Sequence, residues 1–212
     1  MGSRIMHLAI ANELRKELPD LDRNRFLFGT LLPDAATEGN SHRRIAVDDG
    51  AMRTYDLTGF RSRYAQRLNT DPLYLGFYLH LIQDMVFRQL VYGTHRWDPA
   101  PPGNIERLHR DYTILNGYLI GKYRLSPGVE VPPGVEAEVL LRDGSYDAEA
   151  LVRELRADFA RQGSGEIFFF RREMADEYIA LSVPVCRGEI AAIRSGTGFM
   201  DERSMAWARK GP

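Results

Sequence analysis

His80 and Asp84 lie four residues apart inside Leu73–Tyr92, a stretch that is otherwise largely apolar. On a helix, positions i and i+4 share one face, one turn apart. Burying an imidazole and a carboxylate on an apolar face is costly unless something satisfies both. A divalent cation would do so, and three more residues could join them. In chain order the pattern reads His7, Pro33-Asp34, Ser41-His42, then His80 with Asp84 at i+4. Nitrogen and carboxylate donors of this kind suit a catalytic zinc, or iron or manganese. The single cysteine, Cys186, excludes a Cys-rich structural zinc module and an internal disulfide framework. Each residue also has an ordinary reading: His7 as a packed boundary residue, Asp34 as a cap after proline, His42 as a solvated loop residue. Jointly those readings are weaker than they are singly.

The segments Arg4–Ala11, Phe28–Asp34, Ser41-His42 and Tyr78–Asp84 resemble the zinc-dependent phospholipase C family, which is related in fold to the P1-type nucleases. The resemblance covers roughly the first 90 residues. It implies an all-helical core holding zinc ions that hydrolyse phosphoesters. It also implies that Asp34, His42, His80 and Asp84 bind one zinc, with Asp84 bridging to a second ion held by His7. Two features depart from the secreted members. Those use the free amino terminus of a processed chain as a ligand, and no signal peptide is visible here. They also carry a His-x3-Glu pair downstream, whereas this chain offers only His95 and His109 after Asp84, neither with an acid at i+4. One or two ions are therefore expected, with His109 or Asp111 as further contributors.

The elements that must position these residues read as helices. Residues 3–18 form an amphipathic stripe that Pro19 stops. The apolar run 26–34 ends in Pro33-Asp34. Residues 35–56 are polar and turn-rich, with a short hairpin around 45–55. Thr58 caps a short basic helix to Leu68, and Asp71-Pro72 start the central helix as N-cap and N1. Asn104 caps a helix over 105–124. Residues 125–146, with Pro127-Gly128 and Pro132-Pro133-Gly134, form an excursion within one domain spanning 1–212. Asp147 caps a helix to about Gln162. Residues 166–195 read as one long helix, kinked at Pro184, with Phe168, Phe169, Met174, Tyr178, Ile179, Leu181, Val185 and Ile190 inside. Residues 196–212 read as a tail with a short helical piece anchored by Trp207. The expectation is an all-α, single-domain multi-helix bundle of the phospholipase C / P1 nuclease type.

The 212 residues include 28 Lys+Arg and 29 Asp+Glu, a net charge of -1, which gives no whole-molecule reason to expect nucleic acid or an anionic membrane. No run is long and apolar enough to span a bilayer, so no stable membrane anchor is expected and the cytoplasm is the expected location. The Phe168–Phe170 cluster reads as core packing, an apolar pocket wall or a homodimer contact.

The expected chemistry is metal-dependent hydrolysis of a small phosphorylated molecule, a phosphoester or phosphodiester. A bound ion lowers the pKa of its water toward about 7 and neutralises phosphoryl charge. Asp34 is the expected catalytic base, orienting the water with its second oxygen. Arg88, one turn beyond Asp84, is the expected phosphate clamp, its alternative being an ion-paired helix-end arginine. His109, Tyr112 and Asn116 are expected to line the pocket, or simply to pack. Two other functions fit the same residues: a non-catalytic helical module that binds metal or senses a ligand, and a metallohydrolase of a non-phosphate bond.

Overall fold

The computed structural model describes residues 2–208 and is mostly helical. In chain order the elements are α1 (Arg4–Arg15), α2 (Arg23–Leu31), a 3₁₀ turn (Leu32–Ala35), β1 (Ala36–Glu38), β2 (Arg44–Val47), β3 (Met52–Tyr55), α3 (Leu57–Thr70) and α4 (Pro72–Arg88). After them come α5 (Asn104–Lys122), α6 (Val139–Arg142), β4 (Ser145–Tyr146), α7 (Ala148–Ala160), α8 (Arg172–Ser195) and β5 (Trp207–Ala208).

Helix α4 is the axis of the molecule. Asp71 accepts from the Leu73 backbone N–H and Pro72 occupies the first turn, as expected for a helix start. Every residue from Leu73 to Phe87 is buried, so α4 is covered on all sides rather than along one stripe. It packs against α2, α3 and α8, most closely against α2. Gly29 and Gly76 make that crossing possible. A Cβ on Gly29 would overlap the Leu73 carbonyl, and one on Gly76 would overlap the Phe26 carbonyl and the Thr30 nitrogen. With no side chain at either place, the backbones meet directly and the Thr30 carbonyl comes within reach of the α4 side chains.

The strands are few and short. The β2–β3 hairpin pairs Arg44 with Tyr55 through Val47 with Met52, where the 45–55 turn was expected. Strand β5 adds Trp207 opposite Arg53, so the tail is anchored by a strand rather than by the expected helical piece. Residues 209–212 of that tail lie outside the described residues. A β1–β4 pair ties the 36–38 segment to the end of the 125–146 excursion. Within that excursion Val129, Val135 and Leu140 join the same buried cluster as α4.

Three boundaries differ from expectation. Asp56, not Thr58, caps α3, because the Asp56 carboxylate accepts from the Gly59 N–H. Gly103 rather than Asn104 precedes α5. Helix α8 begins only at Arg172, since the Asp111 carboxylate accepts the backbone N–H groups of Phe168, Phe169 and Phe170 and holds them in a non-helical bend. Phe168 is 51 % exposed and Leu181 44 %, so neither lies inside, whereas Phe170 is buried. Pro184 sits within a continuous α8.

Candidate metal centre

Five side chains converge at the heart of the bundle. His7 comes from α1, Asp34 from the 3₁₀ turn after α2, His42 from the loop before β2, and His80 and Asp84 from α4. Pro33 helps set the 3₁₀ turn that swings Asp34 back toward α4. His7, His80 and Asp84 are fully buried and His42 nearly so.

The separations form a shell around Asp84. Its Oδ1 lies 3.5 Å from His7 Nε2, and its Oδ2 lies 3.6 Å from His42 Nε2 and 3.7 Å from His80 Nε2. Asp34 Oδ1 lies 3.4 Å from His42 Nε2 and 4.0 Å from His80 Nε2. These are longer than ordinary hydrogen bonds, which cluster near 2.9 Å. They are close to the edge of a tetrahedron built on metal–ligand bonds of about 2.0–2.1 Å, roughly 3.4 Å. Two groups, His7–His80–Asp84 and Asp34–His42–His80, have ligand atoms close enough together to hold a cation.

The outward sides of the rings explain their orientation. His80 Nδ1 lies 2.8 Å from the Thr30 carbonyl, which can only accept, so Nδ1 carries the proton. His7 Nδ1 likewise donates to Gln83 Oε1 at 2.8 Å. In the neutral rings this leaves both Nε2 lone pairs facing carboxylate oxygens, acceptor against acceptor. His42 Nδ1 meets Ser41 Oγ at 2.8 Å, a hydroxyl that can donate or accept. All three Nε2 atoms are buried without a hydrogen-bond partner. A cation between them and the carboxylates would satisfy every one, and an outward hydrogen bond on each ring is the usual support for a metal-ligating histidine.

Without a cation the charges adjust instead. Burial pushes the Asp34 carboxyl up, but the His80 charge and the contact with His42 outweigh it and hold Asp34 at about 2. Burial also opposes ionisation of Asp84, yet His7 and His80 hold it well below the usual carboxylate range. Burial pulls His80 down, but Asp34 and Asp84 raise it above its ordinary value. Burial dominates at His42 and lowers it.

Asp84 is also gripped from outside the histidine set. The Gly2 N–H donates to Oδ1 at 3.3 Å and the Tyr55 hydroxyl to Oδ2 at 3.4 Å. Asp34 is the other carboxylate, and its side chain keeps 14 % exposure while Asp84 has none. It opens onto a cleft of about 380 Å³ lined also by Arg4, His109, Tyr112 and Asn116. A larger cleft of about 540 Å³, around Arg43, Arg63 and Asp143, touches none of the five.

Thus the structure places all five expected ligands together and His109, Tyr112 and Asn116 along the adjoining cleft. Arg88 does not line that cleft: its guanidinium lies 3.9 Å over the Trp207 ring and 4.7 Å over Tyr92. Asp111 is occupied with the Phe168–Phe170 backbone, and His95 pairs with Glu177 at 3.0 Å. Gln83, Tyr55 and Arg4 are neighbours that the pattern of ligands did not single out. Only Gln83 carried a signal, as a polar residue beside Asp84 in an apolar helix. Comparison with protein-family models, curated proteins and solved structures finds no match. Among the described residues no helix is long and apolar enough to cross a membrane.

Proposed function

We propose that this chain is a metal-dependent hydrolase of a small phosphoester or phosphodiester, with one or two zinc ions, of the phospholipase C / P1 nuclease type. The observation that carries the reading is the set of three buried, partnerless Nε2 atoms around two carboxylates. His42 and His80, with Asp34 Oδ1 and Asp84 Oδ2, would hold one ion. His7, with Asp84 Oδ1, would hold a second. His80 offers a single lone pair and can serve only one of them, which makes Asp84 the residue shared between the two.

Bound there, zinc supplies Lewis acidity and a water whose pKa falls toward about 7. The remaining work belongs to the chain. Asp34, the carboxylate bordering the cleft, has its second oxygen to orient the attacking water and take its proton. The Thr30 carbonyl and Gln83 hold His80 and His7 in the tautomer that presents Nε2. Tyr112 and His109 supply ring surface along the cleft, with ring centroids 5.8 Å apart, and Asn116 is anchored by donating to the Asp158 carbonyl at 3.2 Å.

The test is elemental analysis of protein purified without chelator, followed by hydrolysis of aryl phosphate and bis-aryl phosphodiester with and without chelator. Zinc at one to two equivalents and chelator-sensitive turnover support the reading. Protein free of metal that cannot be loaded sinks it. Stoichiometric zinc with no turnover on any phosphorylated or amide substrate points to a binding or sensing module instead.

A further inference from the structure

Arg4 opens α1 and precedes His7 by three residues, which places the two on one helix face. It is the one arginine or lysine among the residues lining the Asp34 cleft. Its guanidinium is held in place by α7: Nε donates to Asp158 Oδ2 at 2.7 Å and Nη1 to Glu154 Oε2 at 2.8 Å. A guanidinium carries its donors in a rigid planar fork, so fixing two nitrogens fixes the third. That third nitrogen, Nη2, donates to nothing among the described residues. Asp34 lies within the electrostatic reach of this cation.

An arginine held between two carboxylates is commonly a structural tie. Two features separate Arg4 from that case. The tie leaves one nitrogen of the fork, Nη2, unused, and the residue borders the same cleft as the carboxylate beside the candidate metal position. Arg88, by contrast, spends its guanidinium face on two aromatic rings. Building on the phosphoester reading above, we propose that Arg4 is the substrate-phosphate clamp. Its Nη2 donates to a non-bridging phosphoryl oxygen of a substrate whose reacting group lies against Asp34. Asp158 and Glu154 set the direction of that donor. They also offset part of its charge, and the charge-assisted hydrogen bond from Nη2 supplies the affinity that remains.

The experiment is calorimetric titration of zinc-loaded protein with inorganic phosphate. Wild type is expected to bind. Arg4→Met at unchanged zinc content should weaken binding roughly 10- to 100-fold, the loss of one charge-assisted hydrogen bond. Arg4→Lys should fall between the two, because an ammonium cannot reproduce the fork. Phosphate binding by Arg4→Met as tight as wild type overturns the proposal. Failure of wild type itself to bind phosphate overturns the phosphoester reading instead. If Arg4→Met does not fold, Asp158→Asn keeps Arg4 and a hydrogen-bonding partner while removing one opposing charge. Phosphate should then bind about two- to threefold tighter, and unchanged or weaker binding counts against the clamp.

Discussion

Replacing His80 with alanine tests the centre most directly, because His80 belongs to both groups of candidate ligands. The ring is fully buried, stacks on His7 at 4.0 Å between centroids, and gives its Nδ1 proton to the Thr30 carbonyl. Two losses follow and they separate experimentally. The first is independent of metal: the Thr30 carbonyl is left unpaired in the interior, which costs about 1–3 kcal/mol. The second depends on metal. A ligand present at 100 times its Kd stabilises the native state by about 2.7 kcal/mol. In a chain of this size 1 kcal/mol shifts Tm by roughly 2–4 °C. Zinc should therefore raise the wild-type Tm by about 5–11 °C over chelated protein. In His80→Ala that increment should shrink to a small fraction, and elemental analysis should show zinc reduced by at least one equivalent. Thermal melts with zinc and with chelator measure both terms in one series. A variant that keeps the full zinc increment and the wild-type zinc content would show that the His80 Nε2 lone pair is not a ligand. The centre as drawn would then be wrong.

Four other outcomes follow from the same geometry. Asp34→Asn keeps an oxygen donor beside His42 but loses the basic one, so hydrolysis should fall by about 10²–10⁴ while zinc content stays near wild type. Measured turnover above a tenth of wild type would remove Asp34 from that role. In metal-free protein His80 is raised above 6.5, so its charged form adds stability that is complete below pH 6.5 and lost as pH climbs through the folded value. Zinc must displace that proton, so its affinity should rise over the same interval; competition titrations from pH 6 to 8 check the opposed slopes. Asp34 acts at the other end: its stabilising contribution, present above 3.8, should disappear as pH falls toward about 2, visible as acid unfolding of chelated protein. Gly76→Ala drives a methyl into the α2 backbone, should cost about 1–3 kcal/mol or more, and should lower zinc affinity as well, because the same crossing positions Thr30 against His80. A Gly76→Ala protein with unchanged Tm would refute the close crossing.

What could be read from the sequence divides along a physical line. The α4 start was legible because Asp71 and Pro72 act locally, through one side-chain hydrogen bond and one fixed dihedral. The convergence of the five candidate ligands was legible for a different reason: histidines and carboxylates embedded in apolar sequence have few inexpensive ways to be buried. The start of α8 was not legible. Residues 166–171 have an apolar pattern that fits a helix, and what stops them is the Asp111 carboxylate, 57 to 59 residues away, taking three backbone donors in a row. The tail strand fails in the same way, since Trp207 pairs with Arg53 across the chain.

The placement of the arginines carries that lesson into the site itself. Helical spacing correctly puts Arg88 one turn after Asp84, yet spacing fixes only the face from which a long side chain leaves. It does not fix where the guanidinium ends. Arg88 finds the Trp207 and Tyr92 rings, and Trp207 is there only because β5 pairs with β3. Arg4 comes to the cleft because α7 supplies Glu154 and Asp158, 150 and 154 positions later. A polar group on a short, stiff side chain is fixed mainly by its own backbone, so the shared placement of His80 and Asp84 could be anticipated. A cation on a long, flexible one is fixed by its partners, and partners distant in sequence become visible only in the folded chain.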